Sequence, residues 1–531
     1  MKITLGLAVV LLAVVLLAAA PAAESPAPQP PAADSRTIDK LIADLGSQSF
    51  DVRESAQKRL IEIGEPAQPP LHAATKSDDP EVRARAAAAL KAIRTRETCI
   101  KDLGAIQVEI KDFHPNISPS GERLAYMQGD QRSLVCDGKQ GPAWDRIEYV
   151  GRFSTDGRRF GYQAVRGDQA FVVFVGDEDH PIAKGEARVG WLSPLARYSP
   201  DGTRVAFSVA GAGGERLVCD GKEGPPYKRI NGIDFSPDSK RMAYSAMDDK
   251  GNGFMVLDGV PLGPYQERIG SAIFSPDSKR VAYTVLREAK AAVICDGKEG
   301  KAYDTVHYPI FSPDSKDLAY WTRSADLKTF LVVWNENVVG RMTGEPQLTF
   351  SPDSRRLAWA TWHSGGVYLC EKTATQVTSG YDNYGRVVFS PDSKHIAYAA
   401  GKDMKWGVCV NDQALRGRYD PQNVRNWDGP NGGGTRLMLT DQPGFSADGR
   451  HVFFKGFRGP PGDVGREVRR QFIVCDGVEL PEHDGVWIPG DFQNHAKRLR
   501  YVVRDGAGIR LVEVPWPEPL SWQDAVEPAK R

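Results

Sequence analysis

The sequence predicts a mainly β protein: about ten copies of a four-stranded antiparallel unit, preceded by a small α-helical unit. Three observations lead there. The stretch FSPDSKRVAY (Phe274–Tyr283) returns as FSPDSKRMAY from Phe235, FSPDSKDLAY from Phe311, FSPDSRRLAW from Phe350 and FSPDSKHIAY from Phe389. In several repeats a second element follows, an apolar run that ends in Asp-Gly, as in VCDGKQGPAWDRI from Val135 and ICDGKEGKAYDTV from Ile294. Ahead of both, residues 37–96 carry apolar side chains at three- and four-residue steps, the period of a helix with one buried face.

The first residues, MKITLGLAVVLLAVVLLAAAPAAE, combine one early positive charge (Lys2), an apolar run from Leu5 to Ala20, and Ala20 and Ala22 in an A-x-A cleavage pattern. Residues 1–22 are expected to be a signal peptide. The mature chain would then be exported, periplasmic or extracellular, with no stable membrane insertion after cleavage. Residues 23–35 are Pro- and Ala-rich and lack periodicity, as a linker does.

The helical unit is expected over 36–98. Within it SFDVRESAQKRLIEIG (Ser49–Gly64) overlays DDPEVRARAAAALKAI (Asp78–Ile93), so that Val52 falls on Val82, Arg53 on Arg83, Ala56 on Ala86, Leu60 on Leu90 and Ile63 on Ile93. Ser or Asp ahead of each copy supplies an N-cap, and Pro80 stands in a first turn. The D-x-x-VR-x-x-A-x-x-x-L pattern resembles HEAT-type helical repeats. It is either a docking surface or a cap on the larger domain.

The β region is expected over 104–514, with a C-terminal tail over 515–531. Its repeats begin at Ser118, Ser154, Ser199, Ser236, Ser275, Ser312, Ser351, Ser390 and Ser446, with a degenerate tenth, QNHAKRLRY, near Gln493. The central spacing of 37 to 39 residues is a propeller-blade period. Ser-Pro-Asp-Ser and Ser-Pro-Asp-Gly suit a type I turn, and Asp-Gly closes the second hairpin. Strands with apolar residues on both faces, such as Arg280–Val285, suit blades wedged between neighbours. The motif resembles the WD-repeat-like Pro-Asp repeats of TolB-type β-propellers over most of the chain. That resemblance implies a β-propeller, with one ring favoured over two, and leaves the activity open.

Lys+Arg 68 against Asp+Glu 68 gives zero net charge, which argues against a general nucleic-acid binder. The repeated Asp201, Asp238, Asp277, Asp314, Asp353 and Asp392 read as turn residues, because a catalytic constellation would not recur in every repeat. Six of the seven cysteines (Cys136, Cys219, Cys295, Cys370, Cys409 and Cys475) are assigned equivalent positions in different repeats, too far apart for disulfides. Cys99 has no evident partner. The chain shows no G-x-S-x-G elbow, HExxH site, phosphate loop or dinucleotide fingerprint. WHSGG from Trp362 reads as loop, and the nine histidines show no metal-ligand spacing. No catalytic residue, cofactor or metal is therefore expected.

Two insertions interrupt the repeat, Arg416–Gly434 and Lys455–Arg470. Following a third strand and a second strand respectively, they are expected to leave one face. They would gather Arg416, Arg418, Tyr419, Arg425, Trp427, Arg458, Arg466, Arg469 and Arg470, the residue types that dominate interfaces. The expected function is a non-catalytic exported scaffold that binds a protein or cell-envelope polymer; the alternative is a propeller-based hydrolase or lyase acting on glycans or peptides.

Overall fold

The structure is a computed structural model that describes residues 35–105, 115–127, 132–167, 169–175, 180–185, 197–211, 213–265, 269–324, 329–361, 366–371, 374–378, 380–402, 405–415, 434–436, 443–459, 470–488, 498–516 and 522–525. The signal-peptide and linker assignments, apart from Ser35, lie outside them, as does Trp362–Gly365. The chain forms two compact units, 1–90 and 91–531. Among the described residues no helix is long and apolar enough to cross a membrane.

The first unit contains α1 (Ser35–Asp44), α2 (Phe50–Ile63), a single 3-10 turn (Glu65–Ala67), α3 (Gln68–Ala74) and most of α4 (Pro80–Arg94). The internal repeat is visible in its bonds. Arg53 Nη1 donates to the Ser47 and Gln48 carbonyls at 2.7 and 3.2 Å, and Arg83 Nη1 donates to Ser77 and Asp78 at 2.6 and 2.8 Å. Ala56, Leu60, Ala86 and Leu90 are buried as the overlay requires, whereas Val52 is 40% exposed in the first turn of α2. Capping also differs from expectation. Asp79 accepts from the Glu81 amide at 2.8 Å, but the Ser49 hydroxyl makes no cap bond, and the Ser47 hydroxyl accepts from the Ser49 amide instead.

The second unit is a propeller assembly of ten antiparallel sheets, numbered 1–10 here in chain order. Sheet 5 is representative: Ile273–Phe274, Val281–Arg287, Lys290–Cys295 and Lys298–Glu299 pair in chain order. In sheets 8 and 9 the first strand is split, into Asn383–Tyr384 with Val388–Phe389 and into Gly434–Arg436 with Gly444–Phe445. Sheet 10 takes its outer strand from the start of the unit, Thr98–Ala105, which pairs with Gly508–Pro515. Nothing in the local sequence marks that pairing.

Both turns take the expected chemistry. Ser278 N donates to Ser275 O at 2.8 Å, and Ser278 lies at φ +65°, the left-handed position that lets the strand resume. Asp296 and Gly297 at φ +51° and +77° form the two central positions of a type I′ turn. Asp258–Gly259, Asn335–Glu336 and Asn411–Asp412 do the same without always showing the Asp-Gly signature.

Each sheet places one large aromatic of its second strand in the core: Tyr126, Tyr162, Phe207, Tyr244, Tyr283, Tyr320, Trp359, Tyr398, Phe454 and Tyr501, none more than 5% exposed. Each such burial stabilises by about 2–3 kcal/mol. Tyr501 also identifies the degenerate tenth repeat. The cores lie between sheets, as where Ala243 and Met255 of sheet 4 meet Val281, Tyr283 and Val285 of sheet 5. The C-terminal segment contributes Trp516 and Trp522, 3% and 5% exposed, the latter opening α5 (Trp522–Ala525).

Among the described residues all seven cysteines are free thiols. Their register corrects the sequence alignment. Cys136, Cys219, Cys295 and Cys475 pair with Ala125, Ala206, Ala282 and Phe453 at one shared position. Cys370 pairs with Leu357, one step later, and Cys409 with Tyr398, one step earlier. A one-residue step reverses the side chain's face, so these two belong to the opposite surface of their sheets.

Candidate functional site

The repeated motif proves to be a latch between neighbouring sheets, which removes its charged residues from the list of ligand-binding candidates. In sheet 5, Arg280 Nε pairs with Asp296 Oδ2 at 2.8 Å, and Asp296 Oδ1 accepts the Val281 amide at 3.0 Å. Arg280 Nη2 approaches Cys295 Sγ at 3.2 Å. Its Nη1 crosses to sheet 6, donating to the Ser315 and Lys316 carbonyls at 3.1 and 2.6 Å, while the guanidinium covers the Phe311 ring at 5.2 Å. The Ser315 hydroxyl accepts the Asp277 amide from sheet 5 at 2.9 Å. Arg204 and Arg241 repeat this reach onto Phe235 and Phe274. The turn aspartates serve the turn. Ser236 donates to Asp238 at 2.6 Å and, with the Lys240 amide, holds that carboxyl below the usual carboxylate range.

Seven of the nine proposed binding residues, Arg416, Arg418, Tyr419, Arg425, Trp427, Arg466 and Arg469, lie outside the described residues. The strands that flank them are described. Gly434 pairs with Gly459, and Arg458 pairs with Arg470, at one end of sheet 9. The chain arriving from 416–433 and the chain leaving into 460–469 are thus attached to adjacent strands at the same end. The second strand, Val452–Gly459, takes in the first five residues of the segment read as the insertion Lys455–Arg470.

Arg470 is not an uncommitted cation. It binds Asp484 at 2.6 Å, approaches Asp505 at 4.0 Å and donates to the Glu482 carbonyl at 2.5 Å. Asp505 continues into a buried network. His483, 3% exposed, bonds Asp505 through Nδ1 and Glu97 through Nε2, both at 2.8 Å, and Tyr501 donates to Glu97 at 2.5 Å. Burial opposes a charge on His483, but the bonds to Glu97 and then Asp505 outweigh it and hold its pKa above the ordinary value. With both ring nitrogens committed to carboxylates, His483 is a clamp between Glu97 and sheet 10, not a general base.

Two further features were not read from the sequence. Tyr308 is 75% exposed at φ +46°, beside His307 stacked on Trp321 at 4.1 Å, at the start of its sheet's first strand. His307 pairs with Trp321 at the end corresponding to the Gly434–Gly459 end of sheet 9. The positive φ falls within a register shift between His307 and Ile310, a bulge of the kind that re-aims a side chain. Asp234, on the first strand of sheet 4, has its carboxyl pushed up to about 6 by burial, against the pull of Arg197.

The remaining cluster is His451, Cys475 and Asp476 in sheet 9, all buried, with a ligand-type atom of each within 4.8 Å of the others. His451 Nδ1 bonds Asp476 Oδ2 at 2.7 Å, and the imidazole stacks on Trp516 at 5.1 Å with 3° between planes. Burial, above all, raises the pKa values of Cys475 and Asp476. The three are separated by up to 25 positions, so motif spacing does not reveal them. Laying the repeats over one another does, because His451 of FSADGRH stands where Arg280 stands in FSPDSKR.

A family description of HEAT repeats matches residues 38–104. A search of curated protein sequences returns no match. Solved structures with similarity include the β-propeller domain of the Trilobed protease from Pyrococcus furiosus (13% identity, TM-score 0.28, 50% of this chain and 94% of that one). TolB from Acinetobacter baumannii aligns at 14% identity and TM-score 0.24, over 60% of this chain and 80% of that one. An acylaminoacyl peptidase from Pyrococcus horikoshii aligns at 13% and 0.27, over 58% and 57%. Its neighbours thus include both peptidases and TolB.

Proposed function

We propose that the chain is an exported interaction scaffold whose propeller binds a protein or cell-envelope polymer partner, with the helical repeats as a second module. The observation that carries the reading is the Gly434–Gly459 pairing, which attaches the two longest insertions to adjacent strands at one end of sheet 9. Their composition, rich in Arg with Tyr419 and Trp427, suits an acidic or glycan-bearing partner, since Arg pairs bidentately with carboxylates. Tyr308 offers an aromatic surface at the corresponding end of its own sheet. The apolar run Leu5–Ala20 and the A-x-A pattern support export, with the mature protein beginning near Ala23.

The test replaces Arg425, Trp427 and Arg458 together with Ala and measures capture of partners from an envelope extract. Capture is expected to fall strongly while the far-UV circular dichroism is unchanged. Undiminished capture by the folded variant would remove the site from this corner.

A further inference from the structure

Four sheets of this propeller carry Cys and Asp at one shared position, and three of them neutralise the Asp with arginine. Arg123, Arg204 and Arg280 sit 2.7, 2.9 and 2.8 Å from Asp137, Asp220 and Asp296, and 3.6, 3.4 and 3.2 Å from Cys136, Cys219 and Cys295. Where sheet 8 loses the arginine, it loses the carboxylate too: His395 bonds Asn411 at 2.7 Å. Sheet 6 likewise pairs Asp317 with Asn335 at 2.7 Å. Sheet 9 departs from both patterns. It keeps Cys475 and Asp476, replaces the arginine with His451, and buries the group, with the His451 and Asp476 side chains 0% exposed.

The geometry points to a divalent transition cation of the zinc type, held by a His451 nitrogen, the Cys475 sulfur and Asp476 Oδ2. Imidazole, thiolate and carboxylate are the donor set that zinc takes, three protein ligands leaving one position for water. A tetrahedral site needs ligand atoms roughly 3.3–3.8 Å apart. The His451–Asp476 edge is 2.7 Å, the Cys475–Asp476 edge 3.9 Å, and no edge exceeds 4.8 Å, so side-chain shifts of about 1 Å or less would suffice. Asp476 Oδ1 is already fixed by the Val452 amide at 2.8 Å, which leaves Oδ2 aimed inward as an outer-shell bond would. A cation with one thiolate and one carboxylate restores the zero net charge that Arg with Asp achieves in sheets 1, 3 and 5. Binding displaces the thiol proton to solvent. A small crevice lined by Cys475, Leu480, Leu499 and Trp516 adjoins the cluster. Five register steps, roughly 17 Å, separate this end of sheet 9 from the insertions, so the two sites share no residues.

The experiment uses Co²⁺ as a spectroscopic probe and Zn²⁺ as competitor. A Cys99→Ser background removes the exposed thiol, and metal is offered both to the native protein and during refolding. One Co²⁺ per chain is expected, with thiolate-to-cobalt charge-transfer absorption that Zn²⁺ displaces and with a rise in Tm. Cys475→Ala should abolish the absorption. His451→Arg, which restores the latch of the other sheets, should abolish it while keeping the fold. Absorption that survives in Cys475→Ala overturns the assignment. So does folded background protein that takes up no Co²⁺ by either route, an outcome that decides the matter even if a variant fails to fold.

Discussion

Truncating Arg280 to Ala tests the latch directly, because the side chain belongs to sheet 5 and most of its contacts to sheet 6. The Arg280–Asp296 pair, with side chains 32% and 41% exposed, stabilises by about 0.2–1 kcal/mol. Covering the Phe311 ring at 5.2 Å adds about 0.5–1 kcal/mol. The bonds to the Ser315 and Lys316 carbonyls contribute about 0.5–1.5 kcal/mol each. For a side chain a third exposed the lower ends of these ranges apply, and together they come to roughly 2 kcal/mol. The loss should appear as local opening between sheets 5 and 6, since a repeat array opens at its weakest interface. Hydrogen exchange followed by mass spectrometry reads this out. Amides of the Ser312–Leu318 hairpin should exchange about thirtyfold faster in Arg280→Ala, the equivalent of roughly 2 kcal/mol at 1.4 kcal/mol per tenfold. Arg280→Lys, which keeps the charge but loses the planar fork, should fall between. Unchanged exchange in the sheet 6 hairpin, or loss of protection confined to sheet 5, would refute the latch.

The His483 clamp gives a pH dependence of definite sign. Its pKa is raised in the folded state, so its stabilisation is fully present below the unfolded value of about 6.5 and is lost as pH rises through the folded value. The Tm difference between the native protein and His483→Gln should therefore shrink as pH rises above about 6.5; a difference that grows with pH is the opposite result. Thiol labelling of the folded protein should reach Cys99 and spare Cys136, whose pKa burial pushes up to about 12; all seven should react after denaturation. Fewer than seven would reveal a disulfide and break the register. At Ser315, φ +66° favours glycine, but the hydroxyl accepts the Asp277 amide. Ser315→Ala, losing the bond and keeping the strain, should lower Tm more than Ser315→Gly, which loses the bond but relieves the strain.

What could be read from the sequence was what the chain writes locally. Ser-Pro-Asp-Ser and Asp-Gly fix turns within four residues, and the aromatic of VAY or LAW marks a buried strand, so ten repeats were countable. The partner of Arg280 was not legible, because its targets lie 35 and 36 residues away on another sheet. Cys370 and Cys409 were misaligned because a one-residue register step leaves the composition of a strand unchanged while reversing its face. The Glu97–His483–Asp505 and His451–Cys475–Asp476 groups join residues whose proximity only the sheet pairing creates. Of the candidate site, the sequence supplied the insertions and their strand order, but not the commitment of Arg470 to Asp484.

The pairing of Thr98–Ala105 with Gly508–Pro515 constrains when this molecule can be finished. Every other sheet is complete within one repeat of chain and can form soon after that repeat emerges from the ribosome. Thr98 meets Glu513 across 415 intervening steps, so sheet 10 must wait for almost the whole polypeptide. The equilibrium cost of so wide a closure is small, about 2 kcal/mol more than closing a 39-residue repeat, because loop entropy grows only with the logarithm of length. The delay matters more. Until the last strand arrives, Thr98–Ala105 remains an unpaired edge able to add to another chain. A premature stop before Gly508, or a nick that releases the final hairpin, would leave that edge exposed permanently, and such products should aggregate although nine of the ten sheets retain every residue.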